Sequence, residues 1–299
     1  LTPKSIFKDL LAAGGQVKKS MRSILGFSFR ANYRNHRKIV VIDGQIGYVG
    51  GMNIGEEYAG LHPVRSNWRD THLRIVGSSV YSLQWIFLHD WQATAEGKDK
   101  IGIDEKKMFP LLQSSENGKI GMQIISSGPD SSLEQIKMNY IKMINKAKKN
   151  IYIETPYFVP DDAFLESLKI AAMSGVQIHI IIPGIYDKYY VYRATTSYIK
   201  ELLPFGVKFY LYHGFMHAKM MIMDDEIVSI GSANIDMRSF ALCFEVNSFI
   251  YDSVFTQKCI DIFMDDMRNS QFVTKEWYEA RPWHTKFMES ILRLLSPLF

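Results

Sequence analysis

Two histidine–lysine pairs carry the chemistry legible in this chain. His36 and Lys38 precede an apolar run, Ile39 to Ile42, that ends at Asp43. His217 and Lys219 stand 181 residues later, before Met220 to Met223 and Asp224. Each copy then reaches a glycine at the same offset (Gly50, Gly231) and an asparagine three residues on (Asn53, Asn234). One H-x-K-x4-D match arises readily by chance; two in register, sharing a downstream G-x-x-N, mark an internal repeat.

Two imidazoles, two ammonium groups and two carboxamides suit a phosphodiester. Lysine and asparagine donors stabilise the non-bridging oxygens as phosphorus becomes five-coordinate. One imidazole attacks phosphorus, and the other protonates the leaving alkoxide and then deprotonates the acceptor. A histidine pKa near 6.5 suits both roles. Each imidazole then needs a carboxylate on its other nitrogen to fix the tautomer. Asp70 and Glu245, downstream in the two copies, are the candidates, with pairing to a nearby base such as Arg69 or Arg74 as the alternative for Asp70. No His/Asp/Glu group has metal-ligand spacing, so no metal or other cofactor is expected and activity should survive chelation.

These groups need a frame. Ile39 to Ile42 and Met220 to Met223 read as short buried strands, each followed by a turn and a second apolar run (Ile46 to Val49, Ile227 to Ile230), so each copy predicts a hairpin. Side chains two apart on a strand share a face, so each histidine points with its lysine. Asp43 and Asp224 complete the catalytic motif, but their odd offset and turn position suit holding the hairpin better than touching a ligand. Ahead of the second copy the pattern predicts a strand at Met122 to Ile125 and a helix over Ser132 to Lys149. A strand at Ile151 to Glu154, a helix over Asp161 to Met173 and a strand at Val176 to Ile182 follow. That alternation predicts an α/β fold with mixed, largely parallel sheets flanked by helices. The halves divide as 1–115 and 116–299, with one active site between them.

The doubled motif resembles the phospholipase D superfamily, whose members build one site from two homologous halves. Asn35-His36-Arg37-Lys38, Gly50 to Tyr58, Trp68-Arg69-Asp70-Thr71, Thr155 to Asp161 and Arg293 to Leu298 are similar to bacterial cardiolipin synthases, a likeness running through most of the chain. The resemblance implies condensation of two phosphatidylglycerol molecules into cardiolipin and glycerol, with no metal and no nucleotide. It also implies a bacterial cytoplasmic membrane setting, and His36 as nucleophile with His217 as general acid, then base. A hydrolase such as phospholipase D, or a nuclease, would run the same chemistry with water as acceptor. A non-catalytic module retaining the fold is the third reading, and two intact motif copies count against it.

Composition narrows these readings. The chain has 299 residues, 47% apolar and 22% charged, with 35 basic against 31 acidic side chains, a net charge of +4. Such a chain folds around substantial cores, and a charge of +4 without a dense basic stripe disfavours nucleic acid. Cys243 and Cys259 form no disulfide framework. The strongest apolar run, Ile178 to Tyr186, is too short to span a bilayer and is broken by Pro183 and Gly184. The first half has only 35 residues before His36, with Ile6 to Ala13 reading as the tail of a helix, and the sequence opens without Met. Against the family, its opening strands and two amino-terminal membrane segments are absent, so the chain reads as a carboxy-terminal piece whose first sheet has an open edge. Tyr186, Tyr189, Tyr190 and Tyr192 suit a lipid cleft as well as core packing. Lys286 to Leu295 reads as an amphipathic helix packed on the body. His62, His72, His89, His179, His213 and His284 have no repeat partner and read as packing or surface residues.

Overall fold

The computed structural model describes residues 4–20, 33–62, 67–94, 101–102, 104–111 and 118–296. After an exposed turn of helix, α1 (Lys8–Ala12), the first half comprises β1 (Arg34–Asn35), the hairpin β2 (Ile39–Ile42) and β3 (Ile46–Gly50), then β4 (Trp68–Arg69), β5 (His72–Val76), α2 (Ser79–Thr94) and α3 (Glu105–Met108). Strands β2, β3 and β5 form a three-stranded antiparallel sheet with β2 at its edge.

The second half opens with β6 (Gly121–Ser127), α4 (Gln135–Lys146), β7 (Asn150–Glu154), β8 (Phe158–Val159), α5 (Asp162–Met173), β9 (Gln177–Pro183) and α6 (Tyr189–Leu202). Then come β10 (Lys208–Tyr212), β11 (Phe215–Met216), the second hairpin of β12 (Met220–Met223) and β13 (Ile227–Gly231), and β14 (Ile235–Asp236) with α7 (Met237–Ala241). The chain continues through β15 (Cys243–Tyr251), α8 (Ser253–Arg268), β16 (Ser270–Val273), α9 (Lys275–Glu279) and α10 (Trp283–Leu294). Helix α5 starts where its sequence signals it: Asp161 caps the Phe164 amide at 3.0 Å.

Nine strands form the main sheet, in the order β1-β15-β13-β12-β7-β9-β10-β16 with β6 also on β15. The sheet is mixed, but the expectation of largely parallel pairing needs correction. Parallel ladders are confined to β1–β15 and β7–β9–β10, and the other ladders are antiparallel. The β12–β13 hairpin causes this, because a tight turn forces antiparallel pairing and the hairpin lies mid-sheet. In both hairpins the motif aspartate sits at positive φ, 53° at Asp43 and 52° at Asp224, a conformation aspartate tolerates better than branched residues.

Both faces of this sheet are covered. Ile151, Ile153, Ile178, Ile180 and Ile182 pack under α4, α5 and α6. On the opposite face Tyr152, Met220, Ile222 and Val228 meet Cys259 and Phe263 of α8, together with Val49, Leu73 and Ile75 of the small sheet. The two halves therefore share a core. Helix α10 meets the body as expected, burying Leu292 and, beside it on the inward side, a carboxylate. Its buried Glu289 accepts from Arg281 (2.7 and 2.9 Å) and Thr196 (2.6 Å), while Trp283, Phe287, Ile291 and Leu294 face outward. Among the described residues, no helix is long and apolar enough to cross a membrane.

Candidate active site

Two short ladders between the halves assemble the site. In β1–β15, Asn35 pairs with Phe244, and the His36 amide donates to the Phe244 carbonyl at 2.9 Å. The next residues on the two strands, His36 and Glu245, are thereby brought side by side. In β4–β11, Arg69 pairs with Met216, and the His217 amide donates to the Arg69 carbonyl at 2.7 Å, which aligns Asp70 with His217. The side chains follow this register. His36 Nδ1 donates to Glu245 Oε1 at 2.8 Å, and His217 Nδ1 donates to Asp70 Oδ2 at 2.6 Å. Each imidazole is thus held by a carboxylate of the opposite half and keeps Nε2 for chemistry.

Neither alternative base forms an ion pair with the Asp70 carboxylate among the described residues. Arg69 pairs with Asp266 at 2.9 Å and donates to the Asp70 carbonyl and to Thr71 Oγ1 (3.0 Å). Arg74, on β5, sits across the small sheet from Tyr48.

Both lysines fold back on the carbonyl of their own histidine, Lys38 Nζ at 2.6 Å and Lys219 Nζ at 2.5 Å. Lys219 Nζ also lies 3.1 Å from His217 Nδ1, and each ammonium still keeps a donor for an incoming anion. Burial makes their charges costly: the Lys219 ammonium is pushed down to about 7 and that of Lys38 to about 8, with the site's carboxylates opposing the fall. Burial, then the neighbouring Lys219, drives the His217 imidazole well below its ordinary value, against the pull of Asp70. An anion between these groups reverses the balance and favours all three charges.

The remaining candidates separate. Asn234 is buried with Oδ1 unpartnered, whereas Asn53 is exposed and donates to Tyr58 Oη at 2.7 Å. Asp224 stays at its turn, accepting the amides of Lys149 (2.8 Å), Asn150 (2.9 Å) and Lys148 (3.0 Å). Its carboxylate fixes the hairpin to the start of β7, in keeping with its turn position. Asp43 occupies the matching turn, exposed and at the far end of β2 from His36.

Repeat offsets expose residues that reading for histidine and lysine missed. Fifteen residues after each histidine stand Gly51 and Ser232. Ser232 donates to Glu245 Oε2 at 2.5 Å; at Gly51 a Cβ would come within 2.2 Å of Asp70 Oδ1. Next to these, the Met52 amide donates to His72 Nδ1 (3.3 Å) and the Ala233 amide to Asn247 Oδ1 (3.2 Å), so His72 fills the place of Asn247. His72 thus has a repeat partner of another residue type. Tyr58 stands edge-on to His217, ring centroids 5.5 Å apart, and Trp68 stacks on Phe215 beside the same imidazole. Tyr186, Tyr189 and Tyr190 are exposed rather than packed in the core.

Known proteins share these features. A family model described as "Cardiolipin synthase, PLD-like domain" matches residues 140–267. A cardiolipin synthase of Listeria welshimeri is 49% identical over 99% of this chain, and the major cardiolipin synthase of Bacillus subtilis is 48% identical over 99%. The chain spans 61% of the length of each. Among solved structures, phosphatidylserine synthase of Haemophilus influenzae superposes with a TM-score of 0.64 at 13% identity, covering 89% of this chain and 71% of that one. Over nearly its whole length the chain is thus similar to about three fifths of each of these cardiolipin synthases, and its fold is similar to that of the phosphatidylserine synthase.

Proposed function

We propose that the chain is the catalytic part of a cardiolipin synthase, a phosphatidyltransferase that joins two phosphatidylglycerol molecules and releases glycerol. The observation that carries this reading is the pair of imidazoles, each oriented by a carboxylate from the other half and flanked by a lysine with spare donors. His36 Nε2 attacks the phosphorus of the first lipid, forming a P–N bond as the P–O bond to glycerol breaks. His217 gives its Nε2 proton to the departing glycerol oxygen. It then takes the proton from a hydroxyl of the second lipid, whose oxygen attacks phosphorus and releases His36. Lys38, Lys219 and Asn234 stabilise the non-bridging oxygens, with Asn53 reaching in from the open side. The covalent intermediate conserves the phosphodiester's free energy, so no nucleotide is needed.

The division of labour follows from exposure. The His36 side chain is 32% exposed and that of His217 9%, which suits nucleophile and proton carrier respectively. A lipid substrate fits the outward Trp283, Phe287, Ile291 and Leu294 of α10, since an apolar stripe left in water while Glu289 is buried is a surface for a membrane. We place the protein at the bacterial cytoplasmic membrane and divide its halves between residues 115 and 116, a boundary that lies outside the described residues. Labelled phosphatidylglycerol in vesicles tests the reading. The proposal expects labelled cardiolipin and free glycerol, reversed by excess glycerol; phosphatidic acid as the sole product at every glycerol level refutes it.

A further inference from the structure

His36 and Asn234 line one side of a cleft of about 480 Å³ whose other charged side chains the chemistry above leaves unused. Its walls carry three cations from three separate elements: Arg34 of β1, Lys188 at the start of α6 and Arg238 of α7. Its one carboxyl, Asp236, is buried and accepts the Ser239 amide at 2.6 Å, and burial raises its pKa, which weakens its opposition to an anion. Helix α6 adds the positive end of its dipole. Its N-cap residue, Lys188, supplies no side-chain acceptor to the first turn, and Tyr190 and Val191 of that turn line the cleft. Asn234, also buried, lines it too. Lys188 is exposed and lies over the Tyr157 ring at 5.8 Å; the adjacent Asp187 carboxylate is taken up by Tyr157 Oη and the Lys188 amide.

Product chemistry says what such a cleft is for. Cardiolipin holds two phosphodiesters joined by one glycerol, so the acceptor lipid brings a second anion within a glycerol's length of the reacting phosphorus. Two anions that close repel unless the second is met by its own cations. Water or free glycerol as acceptor carries no such charge. Resting on the proposed transferase function, we propose that this cleft binds the phosphodiester of the acceptor lipid through Arg34, Lys188 and Arg238, and so selects an anionic lipid alcohol over small neutral acceptors.

Partitioning of the covalent intermediate tests this directly. With phosphatidylglycerol vesicles and labelled glycerol in one reaction, the intermediate yields either cardiolipin or labelled phosphatidylglycerol, and the ratio is independent of the donor step. In the intact protein, Lys188→Gln with Arg34→Gln is expected to lower the cardiolipin-to-exchange ratio about tenfold or more, and Lys188→Arg alone to keep it near the native value. An unchanged ratio in the double variant overturns the acceptor site, as does an equal loss of both products. Native protein that forms phosphatidic acid and neither transfer product instead removes the transferase reading on which the site rests.

Discussion

The two motif copies share a sequence pattern and differ in almost everything around it. Strand β12 lies mid-sheet, and all four of its residues are buried. Strand β2 is an edge, alternating half-buried and exposed residues, with Val40 and Ile42 in contact with water. The motif side chains follow their strands: His217, Lys219 and Asn234 are buried, whereas His36 and Lys38 are half-buried and Asn53 is exposed. A repeat therefore preserves the reacting groups while the scaffold makes them unequal. The buried copy can hold a proton away from water, and the open copy can receive a substrate.

The largest expected effect probes the crossed carboxylates. Asp70→Asn and Glu245→Gln should each lower turnover by roughly 10²- to 10⁴-fold, because an amide favours the wrong imidazole tautomer. Both should slow the forward and glycerol-driven reverse reactions alike, since in the proposed mechanism each histidine serves both half-reactions. Initial rates in the two directions check this; a loss confined to one direction breaks the symmetry of the crossed pair.

Stability should separate the hairpins next. Ile222→Ala removes a fully buried side chain and is expected to cost about 2–4 kcal/mol, while Ile42→Ala on the exposed edge should cost under about 1 kcal/mol. Denaturant midpoints at unchanged m-value measure both, and equal losses would mean the first hairpin is as tightly packed as the second.

Acidity gives a third contrast. Lys219 and Lys38, lowered to about 7 and 8, are charged below those values and neutral above them. Binding an anionic lipid favours the charged forms, so affinity is fullest at low pH and is lost as pH rises through 7 to 8. KM is expected to climb several-fold per pH unit across that window, with proton uptake on binding in buffers of different ionisation enthalpy. Lys219→Arg should move the rise to higher pH, and an unmoved profile assigns it to another group.

The smallest effects fall on the offset where the copies differ in residue. Gly51→Ala pushes a methyl against Asp70 and should disturb His217, lowering turnover about tenfold with little change in KM. Ser232→Ala removes the hydroxyl bond to Glu245 and should act several-fold through His36. Double-mutant cycles with Asp70→Asn and Glu245→Gln sort the two effects, each expected to couple only within its own imidazole–carboxylate pair.

Much of this contrast lay beyond local pattern. Both hairpins, the run from β7 to β9 and the residues of the repeat were legible, because strand periodicity and turn chemistry act over a few residues. The crossing of carboxylates was not: Glu245 meets His36 across 209 positions and Asp70 meets His217 across 147, through ladders of two residues each. Ladders that short leave no periodic signal. The unequal burial of β2 and β12 was hidden for a related reason, since apolar runs look alike whether a strand lies mid-sheet or at an edge. Helix α10 shows the same limit, its amphipathic pattern being plain while which face turns inward depended on Arg281 and Thr196 meeting Glu289. His72 read as a packing or surface residue because its repeat partner, Asn247, is a different residue type.

The central claim is that unequal burial makes His36 the nucleophile and His217 the proton carrier. Rapid acid-free quenching of the intact protein with phosphatidylglycerol labelled at phosphorus, followed by peptide mapping, tests it most directly. The account predicts label on the peptide containing His36, with both its formation and its loss slowed in His217→Asn because His217 carries the proton in both half-reactions. Label on His217, with His36→Asn still forming the adduct, would contradict it.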